Sequence, residues 1–183
     1  MATKTDTLMM EVGYISLFFT YFDHLIHEIN SELINIENTA IGNLISGKLQ
    51  TNARIELYRD LLKTIPFQKK TIDQATSVIN QFDVIRKTRN HFIHGIWYVE
   101  GDVEEFNEDD FHIGKLSNWK DAKKINLKEL TKIKEDILAL NQKQNQLNKD
   151  LVKEHKRIIK AKKKKRRQFN AVWKRATKSV ELD

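Results

Sequence analysis

The sequence contains no cysteine. That excludes a disulfide framework, a thiolate metal site and a cysteine nucleophile together. It has one proline and six glycines in 183 residues, too few turn-forming residues for a turn-dense β-sandwich or a collagenous repeat. No repeat period is visible, and no apolar run approaches the roughly 20 residues needed to span a bilayer. The N-terminal stretch MATKTDTLMMEVGYISLFF is interrupted by polar and acidic residues, and no small-residue cleavage site follows it. No secretory leader is therefore expected. A soluble, cytoplasmic protein with no membrane partner is the expectation. What the chain does have is 40% hydrophobic and 31% charged residues, enough for one domain with a core and at most an appendage.

The charge is uneven. The formal net charge is +7. Residues 153–178 hold thirteen Lys/Arg and a single acid, Glu154, a net of +12, so the other residues sum to −5. A mildly acidic body with a strongly basic tail points to an anionic partner, most often nucleic acid. The division expected is a bundle over 1–152 and a basic extension over 153–183. A second extreme lies at Glu100 to Asp110, with seven carboxylates and no base. It has no calcium-loop pattern, and a solvated loop is the expectation.

Hydrophobic spacing predicts four helices. Leu8, Val12, Ile15, Phe19, Phe22, Ile26, Ile29, Leu33 and Ile36 step by three and four, the period of an amphipathic helix. The stretch from Glu37 to Gly47 then brings two glycines, Gly42 and Gly47, and a break is expected there. Ala53, Leu57, Leu61 and Ile65 make a shorter helix that Pro66 stops. Ile72, Ala75, Ile79, Phe82 and Ile85 start a third, reaching about Phe92, with Gly95 as its C-cap. Ile96 to Val99 and Phe111 to Ile113 suggest a β-hairpin insertion over about 96–116, closed by the acidic stretch. Asn126 and Glu129 resemble an N-cap and its partner at the start of a long helix through Leu127, Leu130, Ile133, Ile137, Leu140, Leu147, Leu151 and Ile158. The fold class expected is all-α: an antiparallel helical bundle with a small hairpin insertion and a long basic C-terminal helix.

One segment carries chemistry. The apolar stripe of the third helix continues through Arg86 and Arg89. A guanidinium stays ionised, and burying it unpaired costs several kcal/mol. Such a residue meets a carboxylate, a wet cleft or a phosphate. His94 follows Arg89 by five residues, about 140° further round a regular helix; unwinding near Gly95 would bring the imidazole back towards the same cleft. A neutral imidazole can take the proton of a ribose 2′-OH. Arginine offers a planar fork to the phosphate and to the charge developing on it. This chemistry needs no metal or cofactor, would leave a 2′,3′-cyclic phosphate and would spare DNA.

The string Arg89-Asn90-His91-Phe92-Ile93-His94-Gly95 resembles the signature of the HEPN superfamily, an arginine usually followed by a polar residue, four to six further positions, then histidine. The order of elements is similar as well, over roughly residues 8 to 150. The resemblance implies a metal-independent endoribonuclease of toxin–antitoxin, phage-defence or RNA-processing systems, working as a homodimer whose cleft combines both Arg–His pairs, with an antitoxin or regulatory protein as a further partner. It implies that Arg89 stabilises the phosphate, His94 acts as base or acid and Asn90 orients the site. Arg86 and His91 repeat the same spacing, but only Arg89 is followed by an asparagine and only His94 by a glycine. A subgroup paired with nucleotidyltransferase antitoxins carries tyrosine two residues after the histidine; here that position is Ile96.

Each feature has a plainer use. Arg89 could bond a core carboxylate such as Asp23 or Glu28, with His94 capping the helix, leaving a non-catalytic dimeric module that binds RNA or protein. His24 and His27 read as satisfied polar positions rather than ligands, and His27 could pair with Asp23. Trp97 and Trp119 read as packing residues. The tail reads either as a solvated helix end or as an RNA-binding arm in which Arg86 and the run Lys162, Lys163, Lys164, Lys165, Arg166 and Arg167 contact phosphates, while Phe169 and Trp173 stack on bases.

Overall fold

A computed structural model describes the backbone of residues 4–94, 96–99, 111–115, 118–124 and 127–180, and the side chains of 6–90 and 127–170. The chain is predominantly helical. Its elements are α1 (Lys4–Ile34), α2 (Thr39–Gly47), α3 (Thr51–Thr64), α4 (Lys69–His94), β1 (Ile96–Val99), β2 (Phe111–Lys115), β3 (Asn118–Lys124) and α5 (Leu127–Val180). At 1.5 Å per residue, the 54 residues of α5 run for about 81 Å. Among the described residues, no helix is long and apolar enough to cross a membrane.

The chain separates into two compact units, one formed by residues 1–26 and 73–146, the other by 27–72 and 147–183. In the first, Leu8 and Ile15 of α1 pack with Leu130 and Ile137 of α5, flanked by Val12, Phe18, Ile85 and Ile133. Phe82 of α4 stacks on both Phe22 (centroids 3.9 Å apart) and Phe19 (4.7 Å). Polar ties join the same helices: Lys134 Nζ lies 2.6 Å from Glu11 Oε1, and Asn141 Nδ2 donates to the Phe18 carbonyl at 3.0 Å. The small sheet belongs to this unit. It is antiparallel, in the order β1-β2-β3, with Ile96 opposite Gly114 and Val99 opposite Phe111, and its β2–β3 register is irregular between Ile113 and Lys115. A two-stranded hairpin is thus replaced by three strands. The third, Asn118–Lys124, has little β-propensity of its own, and its pairing with β2 outweighs that preference. The acidic segment at 100–110 lies outside the described residues.

The second unit corrects the expected break after α1. Residues 39–47 form α2, opened by Asn38, whose side chain accepts from Ala40 N. Gly42 does not interrupt this helix. A Cβ there would lie 2.1 Å from the Ser31 carbonyl oxygen, so its glycine permits close contact between α2 and the end of α1. Arg54 closes the other end of α2, its Nε donating to the Ser46 carbonyl at 3.0 Å and its Nη2 to that of Gly47 at 3.4 Å. These are carbonyls that a helix end otherwise leaves unpaired. His27 Nδ1 and Ser46 Oγ are hydrogen-bonded at 3.0 Å, and Asn30 Nδ2 donates to the Arg54 carbonyl at 2.9 Å. On α3 the buried positions are Ile55, Tyr58 and Leu62, a face rotated from the expected one: Ala53 is exposed. Glu154 caps α4 from α5. Its two oxygens accept from Gln68 N at 2.6 Å and from Thr71 Oγ1 at 2.9 Å.

Candidate functional site

Arg89 is placed by the aromatic packing of the first unit. Ala75, Val78, Ile79 and Phe82 bury one face of α4, and three- and four-residue steps carry that face on to Arg86 and Arg89, both half-buried. The Arg89 guanidinium carbon lies 4.9 Å from the centroid of Phe19. The cation thus ends a column that runs Phe22, Phe82, Phe19. Its Nη1 donates to Asn90 Oδ1 at 3.1 Å. Its Nε is buried and has no hydrogen-bond partner among the described residues. Burial pulls the guanidinium below its ordinary pKa, yet arginine remains cationic at neutral pH. A ring face and a neutral amide do not compensate its net charge, so the group is suited to an anion.

The neighbouring Arg86 is engaged differently. Its Nε lies 3.2 Å from Asp83 Oδ1, three residues back on the same helix. The helix is continuous through His94. The unwinding expected near Gly95 falls outside the described residues; up to that point a regular helix sets the backbone of His94 about 140° round and about 7.5 Å along from Arg89. The side chains of His91 and His94, with those of Trp97, Trp119 and Trp173, lie outside the described residues, as do Gly95 and Asn126.

The basic segment forms a second candidate surface in the other unit. Residues 160–170 of α5 are exposed throughout, including all six cations of the run from Lys162 to Arg167, and Phe169 is 67% exposed. They do not act as one block. A groove of about 620 Å³ is lined by Lys156, Lys160, Lys163, Lys164 and Arg167, together with Ile159, Ile36 and Glu37. The α5 residues are spaced by three, four and seven positions, so they share one helix face. Lys163 forms an ion pair with Glu37 across the groove. Lys162, Lys165 and Arg166 do not line it. Lys156, Lys160 and Glu37 are additions to the sequence candidates, although the three-and-four spacing of the basic positions is a signal for the first two. Next to this surface, His155 is buried, edge-on to Phe67 with ring centroids 6.2 Å apart. Burial, and then the charge of Lys162, lower its pKa.

His24, His27 and Asp23 do not form a recognisable ion site: among the described residues, no three His, Asp or Glu side chains are grouped to hold a metal ion. No protein-family model, curated protein or solved structure matches the chain.

Proposed function

We propose that this protein is an HEPN-type, metal-independent endoribonuclease that cleaves RNA by attack of the ribose 2′-OH on the adjacent phosphate. The observation that supports it most is the state of Arg89: a half-buried cation whose Nε has no partner among the described residues, oriented through Asn90, at the end of the helix that carries His94. In this reading Arg89 holds the scissile phosphate and stabilises the extra negative charge of the transition state. His94 removes the 2′-OH proton, the 2′-oxygen bonds to phosphorus as the bond to the 5′-oxygen breaks, and that oxygen takes a proton from the second copy's imidazolium or from water, leaving a 2′,3′-cyclic phosphate and a 5′-OH. The basic face of α5 supplies sequence-independent affinity for the RNA backbone. The active form is a cytoplasmic homodimer, restrained or triggered by an antitoxin or other regulatory protein in toxin–antitoxin or defence systems. A face of α1 is suited to a second copy: Met10, Tyr14, Leu17 and Tyr21 follow at helical spacing and are each 43–60% exposed.

Labelled RNA incubated with the protein in EDTA tests the chemistry. The wild type is expected to cut RNA, but not DNA of the same sequence. His94→Ala should lose at least about 100-fold in rate. Arg89→Lys should also lose most activity, because an ammonium lacks the planar fork. Inhibition by EDTA or products carrying 5′-phosphates would count against the mechanism. Leu17→Glu should shift the mass in light scattering from dimer to monomer, and a monomeric wild type at micromolar concentration would remove the dimer from the proposal. The stacking of Arg89 on Phe19 favours one alternative, a non-catalytic RNA- or protein-binding module in which the arginine is a packing residue. RNA retarded on a gel but left intact is the result expected for that module.

A further inference from the structure

The basic tail is a block of charge in sequence but has sides in structure. Lys156, Lys160, Lys163 and Arg167 fall within about 60° of one another round α5, at 100° per residue, with Lys164 at the margin. They border the groove whose apolar lining is Ile36 and Ile159. Lys165 points roughly opposite, and Lys162 and Arg166 flank. From 156 to 167 the helix rises about 16 Å. Five cations over that length form a continuous positive stripe on which a phosphate backbone can lie, each contact releasing a condensed counterion. Among the described residues, Glu37 is the one carboxylate lining the groove, and it sits on Lys163.

We infer that this groove, rather than the tail as a whole, is the seat of a single RNA strand, with phosphates on Lys156, Lys160, Lys163 and Arg167, base or sugar faces against Ile36 and Ile159, and Glu37 holding the place of one phosphate until RNA displaces it. The inference rests on the RNA-binding part of the function proposed above and is independent of the cleavage chemistry. A positive stripe set beside the apolar side chains of Ile36 and Ile159 favours a strand that offers phosphates and base faces side by side over an acidic protein, which offers carboxylates alone. Displacement of Glu37 leaves Lys163 paired throughout, so the exchange swaps one anion for another.

The test uses the full chain and a fluorescein-labelled oligouridylate, read by anisotropy in EDTA across a salt series. The parent protein and every variant carry His94→Ala so that cleavage does not interfere. Two variants remove the same charge: Lys156→Gln/Lys160→Gln/Arg167→Gln on the groove, and Lys162→Gln/Lys165→Gln/Arg166→Gln away from it. The groove variant is expected to bind at least about 10-fold more weakly, with the log–log salt slope reduced by about 2, the value for three lost single-strand phosphate contacts. The other variant should change affinity less than about 3-fold. Glu37→Gln should bind more tightly. Circular dichroism checks that all three remain helical. Equal losses in the two triple variants would overturn the groove while leaving RNA binding in place. An unchanged or weaker Glu37→Gln would overturn the displacement. Displacement of the probe by poly-glutamate at equal charge concentration would reassign the groove to acidic protein. No binding by the parent protein would sink the underlying RNA reading as well.

Discussion

Replacing Glu154 with alanine is expected to cost about 2 kcal/mol of stability, although the residue is only half-buried and its loss makes a segment of +12 more uniformly basic. Glu154 is the one acid among residues 153–178, and its carboxylate accepts from Gln68 N and Thr71 Oγ1 at the start of α4. A hydrogen bond to a charged acceptor contributes about 1.5–3 kcal/mol, and an anion at a helix N-terminus about 0.3–1 more. The Gln68 bond is exposed, so water replaces it in part, which puts the total near the lower end. Glu154→Gln keeps one acceptor and loses the charge, and about 1 kcal/mol is expected. For a chain of this size the alanine variant should lower Tm by about 4–8 °C. Urea unfolding gives the free energies, and a double-mutant cycle with Thr71→Val should show coupling of about 0.5–1 kcal/mol. The competing explanation is repulsion among the remaining cations, which salt screens beyond about 10 Å at 0.1 M. Repeating the measurement at high salt separates the two. A loss that vanishes in high salt, or that the exposed Glu135→Gln reproduces, would refute the cap.

Further outcomes follow at Gly42 and His155 in the second unit and at Gly13 in the first. Gly42→Ala should destabilise by at least about 2 kcal/mol, because the new Cβ would meet the Ser31 backbone at 2.1–2.6 Å and α2 would have to shift; Gly13→Ala, in an open part of α1 with nothing within 4 Å, should instead gain about 0.5–1 kcal/mol, both read by urea unfolding. His155 has a lowered pKa in the folded chain, so the unfolded state takes up the proton first: stability should be full above the ordinary histidine value of about 6.5 and fall as pH drops below it, and unfolding midpoints measured across that window should show a slope that His155→Phe flattens.

The long-range order of the helices is legible because burial follows spacing. Leu8, Ile15, Phe19, Phe22, Ile26, Ile29 and Leu33 of α1 are all buried, as their three- and four-residue steps require. On α5 the same holds for Leu130, Ile137, Leu140, Leu147 and Leu151, while Leu127 is 36% exposed at the helix start. The face of α3 escapes a count of small and aliphatic residues alone. Tyr58, fully buried, pulls the face round to Ile55 and Leu62. α2 is hidden because glycine signals a break locally, whereas Gly42 answers a tertiary need, the approach of Ser31. At the candidate site, the partial burial of Arg89 can be read from its place on an apolar stripe. Its contact with Phe19 cannot, since that depends on how α1 meets α4. The groove on α5 is half legible: the cations are plain in sequence, but Ile36 and Glu37, more than a hundred residues away, join them only through the fold.

The division of the chain has a consequence for its birth on the ribosome. Neither compact unit is a contiguous stretch: one draws on residues 1–26 and 73–146, the other on 27–72 and 147–183. The second waits for the side chains around Leu147, Leu151 and His155. Its first forty-odd residues emerge long before residues 147–183 of the same unit, with the apolar face of α3 meanwhile incompletely packed. Translation of the intervening segment therefore sets a minimum waiting time, and a chain stalled before residue 147 would offer chaperones and proteases an unfinished surface.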